Sequence, residues 1–413
     1  MLASKQSDTQ DSKARVRSSA TKFFQTILGS TSILIIILIM CLDAFVLKFR
    51  PLFLVQIPGI VLTDQQATGA KFTDYINQLK TPEILILGSS LILHPAARVD
   101  SQIWKLQLTK VDLNWYSQAR YFDQLLQGRF NTPVNSYNLA LAGLMVSEAK
   151  LLLEKSLESG RHPRVLLLFV APREFIDHHS LYGKSSRVYQ YFSQSGNLGG
   201  VRLSGNFGQD SQTLLERVWT YYRLRGDYNR VATALVCDYF GRAPSLAQTQ
   251  KKYVPSGIRL LNFEKPQPVV EKPCTAEVLI KDLESYKARY LPIDEARLNL
   301  ELNALKAIFD IAKEKDIKVA VINMPITTEN LQLLPPEFIN RFENKLNSTC
   351  IENKVPLLDL LTDKRFSQED FVDSVHLNAA GGKKFFNLLV GYLEKMPDLK
   401  DRLAKGMPVK EDR

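Results

Sequence analysis

The sequence predicts an α/β fold: three layers, α/β/α, built on a central parallel sheet of about five strands, with one N-terminal transmembrane helix. Three observations carry this. Short continuous apolar runs alternate with amphipathic segments of a dozen or more residues, the pattern of βαβ units. The clearest run, over 164–170, is continuously apolar and lacks the polar alternation of a half-exposed strand, which suits a sheet covered on both faces. Ahead of them all, residues 27–47 form an apolar stretch long enough to cross a bilayer.

That stretch is broken only by Gly29, Ser30, Thr31, Ser32 and Asp43, and as a helix it covers about 30 Å. Lys48, Phe49 and Arg50 follow it where a cleaved signal peptide needs small residues, which argues for an uncleaved anchor. Lys5, Lys13, Arg15, Arg17 and Lys22 precede it and only Lys48 and Arg50 follow closely. Basic residues stay inside, so residues 1–26 are a cytoplasmic tail and the rest of this single-pass chain lies outside the cytoplasm, in a periplasmic or luminal space. Cys41 then sits in the membrane. Cys237, Cys274 and Cys350 allow at most one bridge, and free thiols fit as well as a Cys237–Cys274 pair.

Residues 48–80 read as a linker and a lead-in helix over 68–79. A strand over 83–87 runs into Gly88-Ser89-Ser90, a tight turn. A second strand over 134–139 ends in Leu141-Ala142-Gly143 and a helix follows over 147–158. The clearest strand is 164–170, RVLLLFV, bounded by Pro163 and Pro172. From about 177 to 285 the composition shifts to glycine, tyrosine and arginine, an insertion with a helix over 211–238 whose Trp219, Tyr221 and Tyr222 suit packing or a sugar-stacking lid. Alternation resumes with a helix over 294–315, a strand over 318–323, a helix over 336–353 and a strand over 356–360. Asn378 caps a last helix in which Phe385, Leu388, Leu389, Tyr392 and Leu393 share one face. The α/β domain thus covers 81–398, and residues 399–413 form a tail.

The 413 residues allow one large domain with an insertion, and 45% hydrophobic with 23% charged residues excludes both wholesale disorder and a polytopic membrane protein. The net charge of +10 is spread along the chain, which argues against nucleic acid as a partner. Gly183-Lys184-Ser185 lacks the earlier glycine and the leading strand of a phosphate loop. His178-His179 has no acidic or cysteine cluster to complete a metal site. No metal and no cofactor are expected.

Acyl transfer at an ester needs a hydroxyl beside an imidazole, a carboxylate to orient that imidazole, and N–H donors for the oxyanion. Ser90, at a strand-to-helix turn, presents a hydroxyl at the sheet edge together with the free N–H groups of a first helical turn. Asp373-Ser374-Val375-His376 places a carboxylate three residues before an imidazole, within reach inside one turn. His94, one turn beyond Ser90, competes with His376 as the partner imidazole, but Pro95 follows it and a packing role is expected.

A Gly-x-Ser turn after the first strand, Asn138-x-x-x-x-Gly143 after the second, and Asp-x-x-His before the last helix stand in the order of the SGNH/GDSL hydrolase superfamily, which the chain resembles over residues 83–393 outside the insertion. With Gly88-Ser89-Ser90 in place of Gly-Asp-Ser it is similar to membrane-associated members that move acyl groups on cell-envelope polymers, such as the alginate acetylation proteins and the D-alanyl transfer protein of teichoic acid, and to a family of anchored proteins common in cyanobacteria. The resemblance implies Ser90 as nucleophile, His376 as general base, Asp373 as its orienter and the N–H groups of Ser90 and Gly143 as oxyanion hole. It implies a serine esterase or O-acyltransferase acting on an acylated envelope glycan or related ester; a non-catalytic scaffold or glycan-binding protein of the same fold is the alternative. One departure is Ala171-Pro172-Arg173-Glu174, where superfamily hydrolases carry Gly-x-Asn-Asp. Arg173 there suits either an anionic substrate or an ion pair with Glu174 or Asp177.

Overall fold

The computed structural model describes residues 31–49, 64–108, 110–131, 133–178, 187–193 and 274–404. The chain divides into two compact units, Met1–Ile57 with Gly196–Arg242, and Pro58–Ser195 with Ala243–Arg413. In the first unit, helix α1 (Thr31–Phe49) takes up most of the apolar stretch predicted over 27–47, and its Leu34, Ile35, Ile37, Leu38, Met40, Leu42 and Phe45 are exposed. Residues 27–30 lie outside the described residues. Among the described residues no helix is long and apolar enough to cross a membrane.

The second unit holds the sheet. Its strands are β1 (Ile84–Leu87), β2 (Ser136–Asn138), β3 (Val165–Val170), β4 (Lys318–Asn323) and β5 (Leu357–Asp359), all parallel, in the order β2-β1-β3-β4-β5. Each falls within or on a predicted run. Register is set across the centre by Ile84 beside Val165 and Val165 beside Lys318, and every residue of β1 and β3 is buried. Continuous apolar runs suit strands covered on both faces, and here they are the middle of the sheet.

Among the described residues the helices of this unit longer than ten residues are α2 (Asp64–Ile76), α3 (Ser90–Trp104), α4 (Arg120–Phe130), α5 (Val146–Glu158), α6 (Ala276–Tyr290), α7 (Glu295–Glu314), α8 (Pro336–Glu352) and α9 (Ala379–Leu393). From β1 the chain moves one way along the sheet to β2, and from β2 onwards it moves the other way. Right-handed crossovers therefore put α3 and α4 on one face and α5, α7 and α8 on the other. The packing agrees: α3, α4 and α9 pack together, and α5 packs on α7. β1 and β3 are neighbours whose connections leave in opposite directions, which opens a crevice at their carboxyl ends. The helix predicted over 211–238 and the 183–185 motif lie outside the described residues.

Candidate active site

At the end of β1 the chain turns through Gly88. A β-carbon there would come within 2.8 Å of Phe169 Cβ and 3.0 Å of the Phe169 carbonyl oxygen, so the close approach of β1 to β3 leaves room only for glycine. Ser89 caps α3, its hydroxyl accepting the N–H of Leu91 at 3.2 Å. Ser90 is the first residue of α3 and is 8% exposed. Its own N–H has no acceptor among the described residues, as expected for the first turn of a helix.

The second part of the site is the tight loop before α9. Val372 N–H donates to the His376 carbonyl at 2.9 Å, Phe371 and Leu377 pair as an antiparallel bridge, and Asn378 N–H donates to the Asp370 carbonyl at 2.8 Å. Within this loop Asp373 Oδ1 accepts the N–H groups of Val375 at 3.0 Å and His376 at 2.8 Å. Aspartate readily folds a turn back on itself in this way. The Asp-x-x-His spacing follows, because one carboxylate oxygen closes the turn and leaves the other for the imidazole.

Asp373 Oδ2 lies 2.7 Å from His376 Nδ1, and His376 Nε2 lies 2.8 Å from Ser90 Oγ. The structure thus joins Ser90, His376 and Asp373 in one hydrogen-bonded chain. Burial favours the neutral form of Asp373, but the His376 ring and the two N–H groups outweigh it and hold the carboxyl well below the usual carboxylate range. An ionised Asp373 only accepts, so Nδ1 carries the proton and Nε2 is left to accept from the Ser90 hydroxyl.

Gly143 stands in the turn after β2. Its φ of +77° demands glycine, while a β-carbon there would meet nothing within 4 Å, so conformation and not space selects the residue. Leu141 N–H donates to the Gly88 carbonyl at 3.0 Å, which ties this segment to the end of β1 just before Ser90. Gly143 N–H has no acceptor among the described residues. Buried Lys71, from α2, braces the same segment by donating to the Ala140 carbonyl at 2.6 Å, and ties it to the loop before α4 by donating to the Tyr116 carbonyl at 2.9 Å. Burial lowers its pKa to about 7, with Asp74 opposing.

Two further side chains join the site: His94, for which packing was expected, and Asp282, which the sequence did not single out. The His94 ring lies 4.4 Å from the His376 ring, tilted by 35°. Burial, and then His376 itself, keep His94 well below the ordinary histidine range, so it faces His376 as a neutral ring. Its packing role is local to the reaction centre, and the i+4 spacing from Ser90 was the signal available. Asp282, on α6, accepts the N–H of Ser374 at 3.0 Å and also its hydroxyl. Nothing in the sequence pairs Asp282 with a loop some ninety residues on.

Arg173 is 4% exposed, with Nη2 3.0 Å from Glu174 Oε1 and Nη1 3.2 Å from Asp177 Oδ2. Of the two roles open to it, the structure forms the ion pair, since a buried guanidinium must be paired. His178 Nε2 is bonded to the Pro292 carbonyl. His179 lies outside the described residues. Cys274 and Cys350 are free thiols, and Cys237 lies outside the described residues. Among the described residues no group of three or more His, Cys, Asp or Glu side chains is arranged to hold a metal.

Fold and site define a doubly wound α/β protein with a Ser–His–Asp chain at the carboxyl ends of its strands. The chain belongs to the family described as protein of unknown function DUF1574, which matches residues 116–391 of the 413. That match takes in Gly143, Asp373 and His376 and begins after Ser90. No curated protein matches the chain. Among solved structures it is similar to a presumed acylhydrolase from Bacteroides fragilis, at 10% identity and a TM-score of 0.35, over 82% of this chain and 98% of that one. At that score the likeness carries no argument about activity.

Proposed function

We propose that this chain is a membrane-anchored serine esterase or O-acyltransferase that acts outside the cytoplasm on an acylated cell-envelope glycan or a related ester. The observation that carries the reading is the 2.8 Å hydrogen bond between Ser90 Oγ and His376 Nε2, backed by Asp373 at 2.7 Å. His376 accepts the Ser90 proton as Oγ attacks the acyl carbonyl, and Asp373 holds the imidazolium that forms. The carbonyl oxygen, now negative, takes the N–H groups of Ser90 and Gly143. As the ester bond breaks, His376 returns the proton to the leaving alkoxide, and the acyl group stays on Ser90. A water or a sugar hydroxyl then attacks, losing its proton to His376, and the acyl group leaves as acid or as a new ester while Ser90 recovers its proton.

The ordered Gly-Ser-Ser, Asn-x-x-x-x-Gly and Asp-x-x-His motifs support the SGNH assignment, and the similarity to envelope acyl-transfer proteins supports the substrate class. The anchor and orientation rest on the apolar stretch over 27–47 and the basic residues ahead of it. A fluorophosphonate probe incubated with the purified full-length chain is expected to label wild type and not Ser90→Ala. Equal labelling of the two removes the nucleophile. For orientation, a C-terminal tag should be digested by protease added outside spheroplasts, and a protected tag overturns it.

A further inference from the structure

We propose that Asp282 is a positioning residue for this reaction, fastening the loop that carries Asp373 and His376 so that the imidazole stays in register with Ser90. This rests on the serine acyl-transfer reading above.

The lever is Ser374, between the two triad residues and 0% exposed. Each of its polar atoms is engaged. Its N–H donates to Asp282 Oδ2 at 3.0 Å and its hydroxyl donates to the same carboxylate. The hydroxyl also accepts from Asn330 Nδ2 at 2.8 Å. Its carbonyl takes the N–H of Thr327 at 3.1 Å and the Thr327 hydroxyl at 2.9 Å. Asn330 is in turn fixed by the Tyr290 hydroxyl at 2.8 Å. A carboxylate suits the central place because both Ser374 donors point at it and an acceptor-only group can serve both.

Asp282 and Tyr290 stand two turns apart on α6, so one helix reaches Ser374 directly and through Asn330. That helix is itself pinned at both ends. Cys274 N–H, just before it, donates to the Phe371 carbonyl at 3.2 Å, in the same loop. At the other end Arg289 Nε lies 3.1 Å from Asp177 Oδ2, and the Arg289 carbonyl accepts the His178 N–H at 2.9 Å. α6 is therefore a rigid strut, and Asp282 is where it grips the triad loop. The core contacts of α6 are made by Leu279, Tyr286 and Tyr290, so removing the Asp282 carboxylate leaves them in place. Asp373 Oδ1 still closes its own turn, but the turn loses its direct tie to α6 and keeps only the indirect one through Asn330 and the one from Cys274. A displacement of about 1 Å at a reacting group costs on the order of 100-fold in rate.

The test is the rate of fluorophosphonate labelling at Ser90 in the full-length protein, together with kcat and KM on a p-nitrophenyl acyl ester and the melting temperature. Asp282→Ala is expected to slow labelling and lower kcat by roughly 10- to 100-fold with KM within about twofold, while the melting temperature falls by less than about 5 °C. Ser374→Ala removes the hydroxyl arm of the tether and keeps the N–H arm, so it should show a smaller loss, and the double variant should lose less than the product of the two single losses, because the two changes share one contact. Asp282→Asn keeps the shape and one acceptor and should recover part of the rate, which guards against misfolding of the alanine variant. Wild-type labelling rates in both Asp282 variants, or multiplicative losses in the double variant, overturn the proposal. Absence of Ser90 labelling in wild type would instead defeat the acyl-transfer reading itself.

Discussion

Gly382 backs directly onto Val99: a β-carbon at Gly382 would lie 2.6 Å from Val99 Cγ2 and 3.2 Å from Pro95 Cβ. This contact joins α9, which starts just after His376, to α3, which starts at Ser90. It is how two segments 286 residues apart come to share a hydrogen bond. A second glycine, Gly381, lets the same helix sit against the Asp370 carbonyl at the base of the triad loop. The first turn of α9 is thus wedged between the two pieces of the site.

The wedge predicts opposite outcomes for two substitutions in one helix. Alanine at a helix-interior glycine contributes about 1 kcal/mol of stability by propensity, whereas overpacking costs about 1–3 kcal/mol. Gly382→Ala should therefore lower the melting temperature and slow Ser90 labelling. Gly391→Ala, where a β-carbon meets nothing within 4 Å, should raise the melting temperature and leave labelling unchanged. Equal shifts in the two variants would show that the α9–α3 contact is not tight.

Asp373→Asn keeps the loop's shape but replaces an acceptor-only group by an amide that can present N–H to the imidazole. The His376 tautomer that accepts from Ser90 is then no longer favoured, and kcat on an acyl ester should fall about 10⁴-fold with little change in KM. Steady-state kinetics decide this, and a loss of tenfold or less would mean that Asp373 does not orient His376.

His94 offers a neutral ring to one side of His376. His94→Phe, which keeps a ring, should retain most of the labelling rate, whereas His94→Ala should lose about tenfold, the scale of an aromatic pair worth about 0.5–1.5 kcal/mol. The idea that stacking holds the imidazole fails if the two variants react alike.

Glu301 provides a pH signature remote from the triad. It is 0% exposed and accepts the N–H of Ser147 at 2.6 Å and the Ser147 hydroxyl at 2.9 Å. Burial, offset in part by these bonds, raises its pKa to about 7. The folded state therefore holds a proton that the unfolded chain releases at its ordinary value of 4.5, so stability falls as pH rises from about 4.5 to 7 and is flat above. Glu301→Gln lacks this titration. Its advantage over wild type in denaturant unfolding should grow across that window towards about 3 kcal/mol at most, at 1.36 kcal/mol per pH unit. Parallel profiles from pH 4.5 to 7.5 would show that Glu301 ionises without cost.

β1 and β3 were legible because each is a continuous apolar run bounded by turn residues, whereas β2, Ser136-Tyr137-Asn138, is polar in sequence and was read from its place before the Gly143 turn. The α9 boundary was legible from Asn378, whose side chain accepts Gly381 N–H at 2.9 Å as an N-cap should. Ser90, Asp373 and His376 stood out through order and local spacing. Arg173 was left between two roles because Glu174 and Asp177 are its neighbours in sequence under either reading; that it is buried and paired with both is visible only in the structure.

Local chemistry was enough to write the elements, the Asp373 turn and the cap of α9, because periodicity, capping and turn closure act over a few residues. The meeting of His376 with Ser90, the stacking of His94 and the grip of Asp282 on Ser374 were decided by tertiary structure alone. They depend on which helix faces pack and on where the sheet reverses direction, and such contacts between distant residues leave no periodic trace in the chain.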